Sequence, residues 1–281
     1  MQALYSIISG ILQALFEYLP VSSSALVDSF SRAVNFADGT GAGYTAFVHA
    51  GTTLALILCM KSMLLKTGMA SFEIVKDFFR NITYGAVKRD NKKRVINGNE
   101  RRTAMIFWIS AVPSLLIGFL LRRAAEFTFG HKLYTSAGFF ITALLLFICH
   151  MSMIKPVEGE RRVAKAWILG IAQGLSVFPG VSRLGAVYAG GMLSGYGRKS
   201  SASLSYLISV PFLLGAVIYE FATLEGSVNI LYGLLGLLSS AVCGYFTFRI
   251  AHKLVRSMRP GAFAGINFVL GILYLLSSFS K

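Results

Sequence analysis

The sequence is short of charged residues and of cysteine, and each shortage excludes a class of protein. Charged residues make up 14% of its 281 residues, whereas soluble domains usually contain about 25%. Its three cysteines, Cys59, Cys149 and Cys243, lie far apart inside apolar runs and lack the spacing of metal ligands. A soluble enzyme, a disulfide-stabilised scaffold and a cysteine-based metal site are therefore excluded.

The sequence is rich in long apolar runs. Hydrophobic residues make up 55% of the chain, and residues 134–154 and 230–248 contain no Asp, Glu, Lys or Arg. Apolar runs of about 20 residues are long enough to cross a bilayer as helices. We predict an all-α, polytopic membrane protein that forms one domain over residues 1–281. Its six predicted spans lie near residues 43–62, 104–122, 133–154, 203–221, 228–247 and 262–278.

Two further apolar segments reach a polar break before they are long enough to cross. The first runs into Pro20 and three serines, and the second runs into Pro179 and Gly180. Broken helices at membrane depth occur where protein or a water-filled cavity surrounds them. We therefore predict re-entrant helical hairpins at residues 2–34 and 166–197.

The two hairpin segments resemble each other. Residues 10–22 laid over residues 170–182 match at six of 13 positions, which indicates a duplicated unit. Each half then contains one hairpin and three spans, and an odd number of spans places the halves in opposite orientations. We predict an inverted repeat of residues 1–154 and 155–281. The identical positions are Gly10/Gly170, Ile11/Ile171, Gln13/Gln173, Leu15/Leu175, Val21/Val181 and Ser22/Ser182.

Basic residues are distributed unequally between the two sides of the predicted spans. Of the 27 lysines and arginines, 21 fall on one side, 5 fall on the other, and Arg183 lies within the second hairpin. The richer side is predicted to be cytoplasmic, so both termini lie outside a bacterial cell (inner, plasma) membrane. Charges at the ends of spans account for the net charge of +15 without nucleic-acid binding. Within the basic region, residues 66–82 are either an interfacial helix or a connecting loop.

The first hairpin carries polar side chains suited to an anionic ligand. Gln13 and Glu17 are four residues apart and share one helix face. A carboxylate in an apolar segment is costly at membrane depth, which makes Glu17 a functional candidate unless it lies at the interface. Ser22, Ser23 and Ser24 follow the break, where hydroxyls and the free N–H groups of a helix N-terminus bind anions. Helix capping alone would need one serine.

The second hairpin places an arginine at its break, in the run Gly180, Val181, Ser182, Arg183, with Gly185 two residues later. A guanidinium matches two phosphate oxygens, and glycine permits close approach of the backbone. The alternative is an arginine that reaches the interface as an anchor. A carboxylate and hydroxyls from one hairpin, facing an arginine from the other, predict a site for a phosphorylated lipid.

Both hairpin motifs match a known family pattern. Residues 13–17 (QALFE) followed by 19–23 (LPVSS) resemble the first motif, and residues 179–186 (PGVSRLGA) the second, of the undecaprenyl-pyrophosphate phosphatase, or bacitracin-resistance, family. The resemblance covers essentially the whole chain. It implies an integral-membrane enzyme that removes one phosphate from undecaprenyl pyrophosphate with the help of a divalent cation, Mg²⁺ or Ca²⁺. The product is the carrier lipid used in cell-wall (peptidoglycan) synthesis.

The resemblance also implies roles for individual residues. Arg183 and the hairpin N–H groups hold the pyrophosphate, and Glu17, with Gln13, either ligates the cation or activates the attacking group. Ser23 is the nucleophile or a phosphate ligand. A homodimer in the bilayer is a further expectation. The remaining candidates for substrate binding are Ser22, Ser24, Gly180, Ser182 and Gly185.

The chain departs from the family pattern at several polar positions. Leu26 stands where the family has histidine, Leu184 where it has serine, Val187 where it has threonine, and residues 266–267 (Ile-Asn) where it often has Tyr-Arg. A histidine is the usual proton shuttle at neutral pH, and loss of a general acid or base costs about 10²–10⁴ in rate. His49 is a candidate replacement, and ordinary packing is its other interpretation.

Three functions compete at this point. The first is the lipid pyrophosphate phosphatase. The second is a non-hydrolytic polyprenyl-phosphate translocase or binding protein, because inverted repeats suit alternating access and the lost polar groups suit binding without cleavage. The third is a small-molecule transporter on the same scaffold. Phosphate release by purified protein separates the first two.

Overall fold

The computed structural model describes residues 1–36, 42–85, 98–152, 163–223 and 229–279, and the chain is helical with no strand in those ranges. The described ranges include ten α-helices: α1 (Gln2–Glu17), α2 (Ser23–Ala33), α3 (Ala42–Gly85), α4 (Asn99–Glu126), α5 (Lys132–Met151), α6 (Ala166–Gly174), α7 (Arg183–Leu193), α8 (Arg198–Ala222), α9 (Ile230–Ser257) and α10 (Pro260–Phe279). A short 3₁₀ turn, Leu175–Val177, follows α6.

Six of these helices are long and apolar enough to cross a membrane, namely α3, α4, α5, α8, α9 and α10. They coincide with the six predicted spans, so the all-helical, polytopic membrane fold is confirmed. Residues 66–82 are helical, but they continue α3 without a break to Gly85 instead of forming a separate element. The predicted topology depends on the count of basic residues, and several of these, including those at 88–94, lie outside the described residues.

Each predicted hairpin is a pair of helices around a break. The first break lies at residues 18–22, between α1 and α2, where Pro20 cannot donate a backbone hydrogen bond. The second lies before α7, where Gly180 has φ +82° and a Cβ would lie 2.1 Å from the carbonyl oxygen of Thr135. Only glycine fits that conformation and that approach to α5.

Side chains from the long helices satisfy the backbone groups that the breaks leave free. The Tyr206 hydroxyl donates to the carbonyl of Tyr18 at 2.7 Å, and the Asn267 amide donates to the carbonyl of Pro20 at 2.7 Å. At the second break, the hydroxyl of Thr142 accepts from the Ser182 N–H at 3.0 Å. Irregular backbone is stable at membrane depth only with such partners, so α5, α8 and α10 fix where the breaks lie.

The helices of the two halves pack across each other. α1 lies against α9, and α6 lies against α4. Both contacts need glycine at matched positions: a Cβ on Gly10 would meet the Gly236 carbonyl oxygen at 2.6 Å, and one on Gly170 would meet the Ser110 oxygen at 2.3 Å. This exchange of partners is what a duplicated unit predicts. The inverted orientation of residues 1–154 and 155–281, and their single domain, stay predictions.

Candidate active site

The two hairpin breaks meet at the carboxylate of Glu17. Its Oε2 accepts hydrogen bonds from Gln13 Nε2 and Ser23 Oγ, both at 2.7 Å. Its Oε1 accepts from Arg183 Nη1, also at 2.7 Å. Gln13 also donates to the Ser23 hydroxyl at 3.3 Å. The structure therefore brings together all three predicted catalytic side chains and one predicted substrate-binding side chain.

Helix starts place two of these residues. Ser23 is the first residue of α2 and Arg183 is the first residue of α7. In the alignment of the two hairpins, which are offset by 160 residues because Gly10 matches Gly170, Ser23 and Arg183 occupy the same position. One copy therefore supplies a hydroxyl and the other a cation, and each sits where free N–H groups of a helix N-terminus favour an anion.

Arg183 lies at the edge of the protein interior, and part of its guanidinium remains available to bind a ligand. Its guanidinium carbon lies 5.2 Å from the centre of the Phe212 ring, a cation–π contact that orients the planar group. Its side chain is 19% exposed, against 6% for Glu17. Its buried Nε makes no hydrogen bond with the described residues. An incoming phosphate can therefore reach the same guanidinium that Glu17 holds.

A cavity of about 500 Å³ opens beside this centre. Four predicted residues line it: Ser23, Ser24, His49 and Arg183. The other charged or titratable residues in its wall are Asp28, Arg32, Arg122, Glu126, Tyr219 and Glu220. Each arginine contacts a carboxylate, because Arg32 pairs with Asp28, Arg122 with Glu126 and Glu220, and Arg183 with Glu17. A multiply charged anion would thus enter by exchange with carboxylates.

Four predicted binding residues make structural contacts beside the cavity and do not line it. Ser182 caps α7, since its hydroxyl accepts from the Gly185 N–H at 3.1 Å. Gly180 and Gly185 lie close to α5. Ser22 is buried before α2, with its hydroxyl 3.5 Å from that of Ser24. A role for these four in binding substrate stays a prediction.

The sequence argument missed the partners of His49. Its Nδ1 lies 3.0 and 3.2 Å from the two oxygens of Glu220, and Arg122 Nη2 lies 3.5 Å from Glu220 Oε1. Glu220 is a lone carboxylate inside the apolar helix α8, and its burial is nearly complete, at 1% exposed. The rule that identified Glu17, a carboxylate in an apolar segment, identifies Glu220 as well.

Residues 6–273 match the family described as bacitracin resistance protein BacA. The chain belongs to this family. A protein of Korarchaeum cryptofilum named undecaprenyl-diphosphatase is 31% identical over 98% of this chain and 99% of its own length. A protein of the same name from Methanosphaera stadtmanae is 29% identical over 98% of each chain, and one from Bifidobacterium adolescentis is 32% identical over 76% of this chain and 71% of its own length. The resemblance seen in the two motifs is confirmed.

The departures from the family motifs fall mostly in the packed interior. Leu184 is 3% exposed and Val187 is fully buried, and both belong to the main hydrophobic core. Leu26 packs against a small cluster that contains Phe139. Asn267 binds the backbone of the first break. None of the four lines the cavity.

A resident metal ion is not supported by the donor groups of the described residues. They contain no cluster of three or more His, Cys, Asp or Glu side chains that could hold a metal. Glu17 is the carboxylate at the Arg183 centre, and both of its oxygens are engaged. Mg²⁺ often binds one carboxylate together with substrate phosphates. Because Glu17 Oε1 accepts a single hydrogen bond, it keeps a lone pair for a cation that arrives with the pyrophosphate. The ligation of a divalent cation by Glu17 stays a prediction.

Proposed function

We propose that this membrane protein hydrolyses undecaprenyl pyrophosphate, or a closely similar polyprenyl pyrophosphate, to the monophosphate. The observation that carries the proposal is the Glu17 carboxylate, which binds the Ser23 hydroxyl and the Arg183 guanidinium at 2.7 Å each. Family membership and the name of the relatives support it. The product is the carrier lipid that cell-wall synthesis reuses.

In this proposal the pyrophosphate replaces Glu17 as the partner of Arg183. The guanidinium binds two phosphate oxygens at once, which holds the distal phosphorus near Ser23. Glu17, released from Arg183, takes the proton of the Ser23 hydroxyl while the oxygen attacks that phosphorus. Gln13 keeps the carboxylate and the hydroxyl aligned through its two contacts. His49, on the same cavity wall, is the proposed proton shuttle.

The cavity wall also suits a substrate with one charged end and one apolar end. Aromatic and aliphatic side chains share the wall with the arginines, among them Phe119, Phe129 and Phe212. The isoprenoid tail would leave between the long helices toward the lipid. Because the long helices expose many large apolar side chains on their outer faces, the tail passes from one apolar environment into another.

The proposal includes the membrane and the orientation of the protein. From the distribution of its basic residues, we expect the protein in the cell membrane with both termini outside. A divalent cation bound to the pyrophosphate and a homodimer complete the expectation. No step of the proposed reaction depends on the cation or on a second copy.

Phosphate release separates hydrolysis from translocation without cleavage. Purified protein in detergent, incubated with undecaprenyl pyrophosphate, should release inorganic phosphate in proportion to the monophosphate formed. The Arg183→Gly variant should be inactive, because it lacks the only cation at the Glu17 centre among the described residues. An inactive parent that still moves the lipid between leaflets of a vesicle would contradict the proposal and favour a translocase.

A further inference from the structure

The cavity contains a second polar centre that faces the same space as Ser23. It consists of His49 on α3, Glu220 on α8 and Arg122 on α4. The imidazole and the carboxylate are in direct contact at 3.0 Å, and their side chains are 7% and 2% exposed. Because these residues come from three helices of both halves, the centre forms only in the folded protein.

The hydrogen bond to Glu220 fixes which nitrogen of His49 is available. An ionised carboxylate only accepts hydrogen bonds, so Nδ1 carries the proton and Nε2 of the neutral ring is an acceptor. Nε2 makes no hydrogen bond with the described residues. Because Nδ1 is bound to the carboxylate, Nε2 can accept a proton from a group in the cavity. The carboxylate of Glu220 then stabilises the imidazolium that forms.

The alternative is an ion pair that only joins helices. Such a pair does not require a cavity, and the burial of Glu220 is costly unless its partners offset it. Here His49, Glu220 and Arg122 all line the cavity that contains Ser23 and Arg183. The centre thus shares its cavity with the proposed reacting groups.

We propose that His49, positioned by Glu220, activates the water that releases phosphate from a phosphoserine formed at Ser23. This inference rests on the proposed function and assigns its second step. In the first step, the bond from Ser23 Oγ to the distal phosphorus forms, the bond from that phosphorus to the bridging oxygen breaks, and the lipid monophosphate leaves. The serine proton passes to Glu17.

In the second step, a water oxygen bonds to the phosphorus and the bond to Ser23 Oγ breaks. The water proton passes to His49 Nε2, which releases it to solvent before the next turnover, and Ser23 recovers its proton from Glu17. The sum is one water consumed for one lipid monophosphate and one phosphate formed. Two centres divide the work because Glu17 still holds the serine proton when the water has to be activated.

The test uses full-length protein and undecaprenyl pyrophosphate with a radioactive distal phosphate. In His49→Gln we expect a burst of lipid monophosphate of about one per protein, followed by turnover slowed about 10²-fold. Labelled protein should accumulate, and the label should be lost in His49→Gln combined with Ser23→Ala. His131→Gln is the matched control and should behave as the parent, because His131 is an exposed histidine at the start of α5.

Glu220 is a positioning residue, so its test needs a readout that a structural role would not change. In Glu220→Gln the burst of lipid monophosphate should remain and the later turnover should slow, because the imidazolium loses its carboxylate. Glu220→Asp should restore part of the later turnover. Folded fractions are matched by size-exclusion chromatography, and the Glu220 variants decide the question should His49→Gln not fold.

Three results would overturn the inference. An active His49→Gln with the parent rate and no labelled protein would remove His49 from the reaction. Loss of both the burst and the label would place His49 in the first step. Turnover of Glu220→Gln at the parent rate, at matched folded fraction, would leave Glu220 with a packing role alone. A parent without phosphate release would instead contradict the proposed function itself, and the two failures are therefore distinguishable.

Discussion

The Glu17 carboxylate and the Arg183 guanidinium lie 2.7 Å apart, although 166 residues separate them in the chain. Each stands at the break of a different hairpin, and the same carboxylate also holds the Ser23 hydroxyl. A charge-assisted contact of this kind is strong but exchangeable when an anion offers the arginine a better match. In the proposed reaction, the pyrophosphate therefore exchanges with Glu17 at Arg183.

Replacement of Glu17 by Gln should lower phosphate release by about 10²–10⁴. The amide keeps the size of the side chain but cannot take the proton of Ser23. Turnover is measured at matched folded fraction, with Glu100→Gln as the control, because Glu100 is an exposed carboxylate that pairs with Lys66. Near-parent turnover in Glu17→Gln would show that another group removes the proton.

Arg183→Lys should retain only part of the activity, and Arg183→Asn and Arg183→Gly should retain less. An ammonium is a point charge, whereas the guanidinium binds two phosphate oxygens and stacks on Phe212 at 5.2 Å. We expect the KM for the lipid pyrophosphate to rise in Arg183→Lys. Binding as tight as that of the parent would identify Arg183 as a structural anchor.

Leu184→Ser should destabilise the protein and leave turnover per folded molecule unchanged. Leu184 is 3% exposed in the main core and does not line the cavity, so a serine there removes packed volume and buries a hydroxyl. The cost should be about 2 kcal/mol or more, seen as a lower midpoint of thermal unfolding in detergent. Higher turnover would mean that position 184 reaches the substrate after all.

Asn267→Leu should also destabilise the protein, through the first hairpin break. The Asn267 amide donates to the Pro20 carbonyl at 2.7 Å, and a buried carbonyl without a donor costs about 1–3 kcal/mol. Because Ser23 follows this break, turnover per folded molecule should fall too. Thermal unfolding together with phosphate release checks both effects. A variant with parent-like values in both would show that water or another donor replaces the amide.

A cysteine at position 2 should react with a membrane-impermeant thiol reagent in intact cells. The variant carries Gln2→Cys, with the native cysteines replaced by alanine. Glu100→Cys in the same background should react only after lysis, because it lies on the side predicted to be cytoplasmic. The opposite pattern would contradict the predicted orientation and the inverted repeat.

The sequence by itself determined the class of protein and most of one site. Apolar runs of bilayer length identified the six spans. The polar residues beside Pro20 and Gly180 identified the two breaks, because an apolar segment that meets them there is too short to cross. The lone carboxylate Glu17 and the arginine of the second motif were visible for the same reason: charge is costly at membrane depth, so it is kept where it acts.

Only the tertiary structure decided which polar residues face one another. Glu220 obeyed the same rule as Glu17, yet its partner His49 lies 171 residues away, and no local pattern encodes contact across such a distance. Ser182 and Leu184 stand on either side of Arg183, but the Ser182 hydroxyl caps α7 and Leu184 packs in the main core. Spacing in the chain selects candidates, and the packing of helices from both halves decides which of them share a cavity.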